Sequence, residues 1–444
     1  VKIDVLEENL YTDIKDHATN AIQRAINECF EDGGGIVEIP AGEYTINSLE
    51  LKSHVTLELK KGALLKGSGD EKCYFHRPGP FELLENHTSI SSLIYARNQK
   101  EIAIIGEGTI DGNYRQFVLP NQGNEPHLKF YKYPRPMVVY FEGCQNVLLQ
   151  GITLQQAPFW TVHLVGDINV EVANLRIENE VRMPNTDGID IDRSKNVYIH
   201  DCYFHTGDDA ICPKCTEETS QYGDVTNLRV ENCQITTQSA AVKFGSSSFG
   251  NFENCTFKNL VIKDTNRGIA FQLRDPGSAR NVLFKDITIE TKHYSEQWWG
   301  AGEPIYITLL PRNDQTDLSG QVIENIHFKN IQCHAENGIV MQSVDPGQIQ
   351  KIIFDQVHLA LRQKIGQPVL VDFRPWNGDD DTTKNATQLA AESKRGGKKP
   401  VGKVTRTLRP IMDQSQSKYQ LIDCDVVDES RTRREGFGND DTKD

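Results

Sequence analysis

The chain has 444 residues and a formal net charge of −14, with 38% hydrophobic and 25% charged residues. That acidic balance excludes a sequence-independent grip on nucleic acid or on an anionic membrane surface, and no apolar run is long enough to span a bilayer. The 10 cysteines are too dispersed for the dense framework of a small disulfide-stabilised protein.

The first ten residues, V-K-I-D-V-L-E-E-N-L, lack a signal-peptide pattern, and the absence of an initial Met is consistent with a leader upstream. Residues 14–31 have helical periodicity: Ala21, Ile22, Ala25, Ile26 and Cys29 share one face. Asp32-Gly-Gly-Gly35 ends that helix. Short strands follow at Ile36–Ile39 and Tyr44–Ile46, with the turn Pro40-Ala-Gly42 between them. A helix in front of short strands suits a cap over the open end of a strand stack.

From residue 54 the chain reads as short alternating strands broken by Gly, Asn and Asp, and from about 144 these repeat. Repeat units begin at Asn146, Asn169, Asn196, Asn227, Asn254, Asn281, Asn325 and Lys351. Counting from each start, offsets +1, +3, +6 and +8 are apolar in every unit, as in Val170, Val172, Leu175 and Ile177. Offset +5 is Gly151, Asn174, Asp201, Asn232, Asn259, Asp286, Asn330 and Gln356, mostly residues that tolerate a left-handed backbone. Two short strands therefore meet at a sharp bend that resets the alternation, and both apolar pairs point inward. Cys202 and Cys233 become core-ladder residues in this register. A further strand follows each unit, starting at Trp160, Asp187, Asp209, Ala240, Gly268, Pro304, Asn337 and Pro368. Three short strands per coil, with spacers of irregular length, predict an all-β single-domain parallel β-helix. Helical periodicity is nearly absent between 54 and 375, which argues against a βα-barrel, and blade periods near 40–45 residues are absent too. The domain is expected to span 1–376. Residues 377–444 read as a polar loop or linker, one candidate last strand at 419–427, and a tail.

On this scaffold Asp187 and Asp209 begin the same strand on successive coils, with Asp208 beside them. Neighbouring parallel strands lie about 4.8 Å apart, so three carboxylates converge within roughly 5–10 Å. Crowded carboxylates repel, and at least one should hold its proton near neutrality while another stays ionised. An acid and a base across a short gap are the equipment of glycosidic hydrolysis. Turn-forming aspartates or a calcium site are the alternatives for the same residues. Gly188 and Gly207 allow close backbone approach here, and Asp190 and Cys212 face outward by alternation. Cys212 and Cys215 form a lone CxxC without a second pair at zinc spacing, so no metal site is expected. A local disulfide and two free thiols both stay open for that pair. His163 and His205 read as structural.

Five stretches carry a family resemblance: A-I-Q-R-A-I-N-E-C, G-G-G-I-V-E-I-P-A-G-E-Y, G-T-I-D-G at 108–112, N-T-D-G-I-D-I at 185–191 and T-G-D-D-A-I at 206–211. Over roughly residues 14–375 the chain resembles glycoside hydrolase family 28, the polygalacturonase and rhamnogalacturonase family of right-handed parallel β-helices. The resemblance implies an inverting hydrolase that needs no cofactor. Asp208 would protonate the leaving oxygen, Asp187 and Asp209 would activate the attacking water, and Asn185 would orient the cluster. The implied partner is a pectic or related galacturonate- or galactose-containing polysaccharide or oligosaccharide. No nucleic-acid or membrane partner is implied, a secreted or periplasmic location is, and the oligomeric state stays open.

Two family motifs are replaced. The G-H-G motif falls at Ser239-Ala240-Ala241, without its His, and the R-I-K motif falls at Ala270-Phe271-Gln272, without Arg or Lys. Those two cations would clamp a galacturonate carboxylate, a contact worth about 1.5–3 kcal/mol. Lys243, two positions beyond Ala241, and Arg274, two beyond Gln272, are candidate substitutes, and Gln272 itself stays a candidate contact. Asp190 is counted with the substrate-facing groups. Trp298 and Trp299, with Glu303, lie in the longest spacer and could stack on or bond a sugar. The insert 113–136, with Tyr114, Phe117, His127, Phe130, Tyr131 and Tyr133, would wall one end of the cleft, which favours exo action. A glycosidase on a non-uronate glycan, a polysaccharide lyase and a non-catalytic glycan binder are the rival readings.

Overall fold

Asparagine or aspartate stands at two fixed places in nearly every repeat, and at both the backbone is left-handed. In the unit starting at Asn169, Asn169 has φ 60° and Asn174 φ 53°; in the next, Asn196 and Asp201 both have φ 55°. Each is a corner of a coil, where a side chain that bonds its own backbone offsets the usual steric cost of this region. The sequence reading placed the left-handed residue at offset +5 and missed the second one at the unit start. The amides at the unit starts also bond one another: Asn169 Nδ2 donates to Asn146 Oδ1 at 3.2 Å, Asn196 to Asn169 at 3.1 Å and Asn227 to Asn196 at 3.0 Å.

The computed structural model describes residues 2–4, 18–78, 89–131, 135–313, 315–363, 369–373, 403–406 and 408–429, apart from the side chains of 78, 89 and 403–406. The chain divides into two compact units, Val1–Gln234 with Phe249–Cys255, and Ile235–Ser248 with Thr256–Asp444.

In the first unit the helix runs over Thr19–Glu31 and buries Ala21, Ile22, Ala25, Ile26 and Cys29, the face expected. Residues 14–17 of the anticipated helix lie outside the described residues. The helix packs on the first short strands, Gly35–Ile39, Leu49–Glu50 and Val55–Leu59. The repeats then stack in parallel, with Val147, Val170, Val197 and Leu228 in register, and Leu149, Val172, Ile199 and Val230 beside them. All eight side chains are buried. The remaining strand of each coil forms its own parallel ladder: Met137–Glu142, Val162–Val165, Ile189–Asp192 and Ile211–Lys214. Cys202 and Cys233 sit in the core as expected.

The second unit repeats this plan with larger side chains. Phe284, Phe328 and Phe354 are in register. Phe328 stacks between the other two, with ring centroids 5.0 and 5.2 Å away. A parallel ladder of Ala240–Ser246, Arg267–Leu273, Ile305–Leu309, Ile339–Ser343 and Ile411–Asp413 runs through this unit.

Two expectations are corrected here. The last strand of that ladder is Ile411–Asp413 rather than the segment at 368. Val369–Asp372 instead pairs antiparallel with Lys403–Arg406, and Val371 and Phe373 lie over Ala270, Tyr306, Val340 and Met412. The coils also do not end at 376: Tyr419–Ile422 and Asp425–Asp428 both pair with Ile349–Leu361 and complete a further turn. The predicted last strand at 419–427 is thus two strands, joined at Asp423 with φ 49°. Of the expected polar linker, residues 374–402 and 407 lie outside the described residues, as do residues 430–444 of the expected tail.

Candidate active site

Coil geometry brings the acids together. Val162, Ile189 and Ile211 are in register, so Trp160, Asp187 and Asp209, each two residues earlier, stack on three successive coils. The Thr161 amide donates to the Asp187 carbonyl at 2.9 Å, and the Gly188 amide to the Asp209 carbonyl at 2.9 Å. Glycine is required at 188: a Cβ there would lie 2.3 Å from the Ala210 carbonyl oxygen. Gly207 is as tightly enclosed, with a Cβ 2.6 Å from the Met183 carbonyl oxygen. Both glycines were singled out from sequence for close backbone approach.

Three positions along each strand, His163, Asp190 and Cys212 are likewise in register. The sequence reading turned Asp190 and Cys212 outward, and by alternation they leave the core. They are nonetheless fully buried, as are Asp187 and Asp209 to within 2%. Asp208 is only half-buried, which makes it the one of the four aspartates open to solvent. Its Oδ2 accepts the Asn185 amide at 3.3 Å, and its Oδ1 the Asp209 amide at 2.8 Å.

Asn185 adopts φ 62° and receives Arg135 Nη2 on its Oδ1 at 2.8 Å. Arg135 also donates to the carbonyls of Pro158 and Pro184 and stacks on Phe130, 3.8 Å from the ring centroid. Burial pulls its guanidinium down to about 9, with Asp208 opposing. Arg135 belongs to the 113–136 insert, which folds back through a Val118–Phe130 bridge and a Leu128 amide bond to the Arg182 carbonyl. Tyr133 of that insert lies outside the described residues.

The sequence reading missed the cation of the cluster. Lys214 Nζ lies 3.6 Å from Asp187 Oδ2 and 3.4 Å from Asp190 Oδ1, and 4.3 Å from the centroid of the Trp160 ring. Lys214 ends the Ile211–Lys214 strand two residues beyond Cys212, the register partner of Asp190, so its shared face with Cys212 was the signal that could have found it. Burial raises the Asp187 carboxyl well above the ordinary range, and the Asp190 and Asp208 charges add to this while Lys214 opposes it. Asp190 is raised by burial too, against the pull of Lys214 and a hydrogen bond from Asp187. Two buried carboxyls in this contact each make it harder for the other to ionise. Burial works against the Lys214 charge, but the acids around it keep the ammonium well above the ordinary lysine range. Burial comes first in raising both carboxyls, and for Asp187 the crowding of the other aspartates adds to it.

Ligand atoms of Asp187, Asp190 and Cys212 lie within 4.8 Å of one another, a spacing that suits a cation. Lys214 brings its positive charge to the two carboxylates of that group. Cys212 and Cys215 do not join in a disulfide; Cys215 donates to the Asn251 carbonyl. Behind the cluster, His163 Nε2 meets Asp192 Oδ2 at 3.0 Å and its ring stands edge-on to Trp160. Burial pushes Asp192 up, but His163 and Thr216 hold it below the usual carboxylate range. His163 is thus a structural histidine, as read from sequence.

The second unit holds the other candidates. Lys243, 8% exposed, lies over the half-buried Trp299 ring at 5.6 Å. Gln272 and Arg274 are enclosed, and Arg274 Nη2 donates to the Arg312 carbonyl at 3.1 Å. Trp298 is enclosed as well. Glu303 is fully buried, paired with Arg267 at 3.3 Å and accepting the Ala301 amide at 2.8 Å. That placement fixes the 291–304 loop and removes Glu303 and Trp298 from sugar contact. Ala270 packs in one apolar cluster with Val371 and Phe373.

Known proteins fit this geometry. Residues 29–221 match the model for glycosyl hydrolases family 28, and residues 138–308 match that for the right-handed β-helix region. A probable polygalacturonase of Vitis vinifera is 32% identical over 245 residues, covering 51% of this chain and 48% of that protein. An exo-poly-alpha-D-galacturonosidase of Dickeya chrysanthemi is 27% identical over 237 residues, covering 44% and 38%. The chain thus spans about half or less of the length of these curated relatives. The solved structure of a hyperthermoactive exopolygalacturonase from Thermotoga maritima superposes with a TM-score of 0.69 at 22% identity, covering 84% of this chain and 89% of that one. The fold is accordingly a right-handed parallel β-helix. The matched stretch contains all four aspartates together with Arg135, Asn185 and Lys214, so the similarity to glycosyl hydrolases family 28 falls on the cluster itself.

Proposed function

We propose that the chain is an inverting glycosidase that hydrolyses galacturonan-type pectic chains or their fragments. The observation that carries this reading is the stacking of Asp187 on Asp209, with the half-exposed Asp208 at their edge, inside the family-matched stretch. Asp208 is the acid that meets the leaving oxygen, because a leaving group approaches from solvent. Asp187 and Asp209, buried behind it, take the proton of the attacking water, and Asn185 fixes Asp208 through its amide. Exo action is favoured by the 113–136 insert, which Arg135 ties to the Pro184–Asn185 turn beside Asp208. The exo-acting relatives support the same reading. Asp190 lines the cluster, and Lys243 and Trp299 remain the proposed contacts for the sugar chain, whereas Gln272 and Arg274 are as enclosed as Trp298. A polymeric substrate does not cross a membrane, so the enzyme is placed outside the cytoplasm, secreted or periplasmic.

The test is digestion of a glycan panel with reducing-end and product-size readout, and with NMR of the first product for its anomeric form. Single-sugar release from polygalacturonan with inversion supports the proposal. An ultraviolet-absorbing unsaturated product would replace hydrolysis by elimination. Asp208→Asn should abolish turnover while retaining glycan; near-normal turnover would sink the acid assignment.

A further inference from the structure

We propose that Lys214 is a positioning residue of the reaction: its ammonium sits against both the Asp187 and the Asp190 carboxylates and holds the two in place for the attacking water. The inference rests on the hydrolytic reading above and assigns a role to a residue outside the acid set.

Geometry carries it. Three successive coils each supply one wall around the ammonium. The Trp160 ring comes from the first, the Asp187–Asp190 pair from the second, and Asp209, Cys212 and Lys214 itself from the third. His163 and Asp208 act on the two aspartates from the side. A lysine only 7% exposed, with its nitrogen 3.4 and 3.6 Å from two different carboxylates, is held in place by the pair and in turn holds the pair. The fully buried Asp190 carboxylate has the Asp187 carboxyl beside it and Lys214 Nζ, 3.4 Å from its Oδ1, as the cation against it. Lys214 is therefore the charge that Asp190 depends on. Without it, desolvation would bind a proton to each carboxyl, and no base would remain on that coil. Lys214 is not placed to clamp a sugar acid, because two protein carboxylates already occupy its donor side.

The experiment compares the full chain with Lys214→Met and Lys214→Arg. Aspartate carboxyl carbons are labelled with 13C and followed by NMR titration, with Asp187→Asn and Asp190→Asn identifying the signals. In Lys214→Met the Asp187 and Asp190 midpoints should move upward by about 1–3 pH units. The low-pH limb of kcat should move upward with them, while KM stays within about twofold. Lys214→Arg should restore most of both shifts. A folded Lys214→Met with unmoved carboxyl midpoints overturns the proposal. So does a raised KM with an unmoved pH limb, which would make Lys214 a substrate contact. So does a lowered Tm with an unmoved limb, which would make it purely structural. If Lys214→Met does not fold, Asp190→Asn combined with Lys214→Met removes one charge of each sign and should fold; failure of that pair to recover the fold also overturns it. If the wild-type chain hydrolyses no glycan, the functional reading falls, and the carboxyl titration still decides the role of Lys214.

Discussion

Replacing Gly188 by alanine strikes the contact that brings the acids together. The new Cβ would lie 2.3 Å from the Ala210 carbonyl oxygen and 2.8 Å from Phe204 Cδ1. Real Cβ contacts stop near 3.0 Å, so the two coils must part by about 0.7 Å. The bonds across that gap are the Gly188 amide to Asp209 at 2.9 Å and the Ile189 amide to Ala210 at 2.8 Å. At a net ~0.5–1.5 kcal/mol each, weakening both removes about 1–3 kcal/mol of stability. The effect on chemistry should be larger, because a displacement on the order of 1 Å in a catalytic constellation lowers kcat about 100-fold. Urea unfolding measures the first quantity, and reducing-end release at saturating substrate measures the second. Gly188→Ala with the wild-type urea midpoint and kcat would show that coil spacing at this point does not set the acid geometry.

The other expectations concern the scaffold. Phe328→Ala leaves a gap between Phe284 and Phe354 and should cost about 3–5 kcal/mol, read as a lowered urea midpoint; a loss under about 1 kcal/mol would mean the coils close over the cavity. Asp167 is fully buried, and burial raises its carboxyl well above the ordinary range against one opposing bond from the Cys144 amide. Because the folded state keeps that proton longer than the unfolded chain does, its contribution to stability is full below the ordinary carboxylate range and declines as pH rises toward its own pKa. Asp167→Asn should flatten that decline and gain most at neutral pH, in urea midpoints taken across the range; an equal loss at every pH would refute this.

The coil was legible because its signals are local. Four apolar offsets and one corner recur whatever the spacer length, so strand boundaries and the core could be read from residues alone. The second corner was missed because Asn at the unit start reads equally well as the flank of a strand. The coils beyond 376 were missed because the polar stretch from 377 to 407 separates Ile411–Asp413 and Tyr419–Asp428 from the repeats they join, and Val369–Asp372 mimics the expected strand. The acids were legible through register. Lys214 was not, since an isolated lysine at a strand end is ordinarily a solvated one and only the neighbouring coil makes it buried. Glu303 and Trp298 are the opposite case: residue types suited to sugars are turned inward, Glu303 onto the Ala301 amide and Arg267, and Trp298 into a buried position. An arginine at Ala270 would have to displace Val371 and Phe373, the cluster it packs in.

The paired left-handed corners have a consequence for how such a chain can change. A deletion of one residue inside a strand would carry a branched side chain, Val170 or Val197 for example, onto a corner that only Asn, Asp or Gly occupies cheaply. It would also turn the core side chains of that segment to the outside. Every coil therefore checks its own frame twice, independently of its neighbours. Length variation is confined to the spacers, such as the 291–304 and 113–136 segments, which touch neither corner. The rigid part of the molecule thus keeps the acids stacked while the loops around them remain free to diverge, and new substrate preferences can arise without renegotiating the fold.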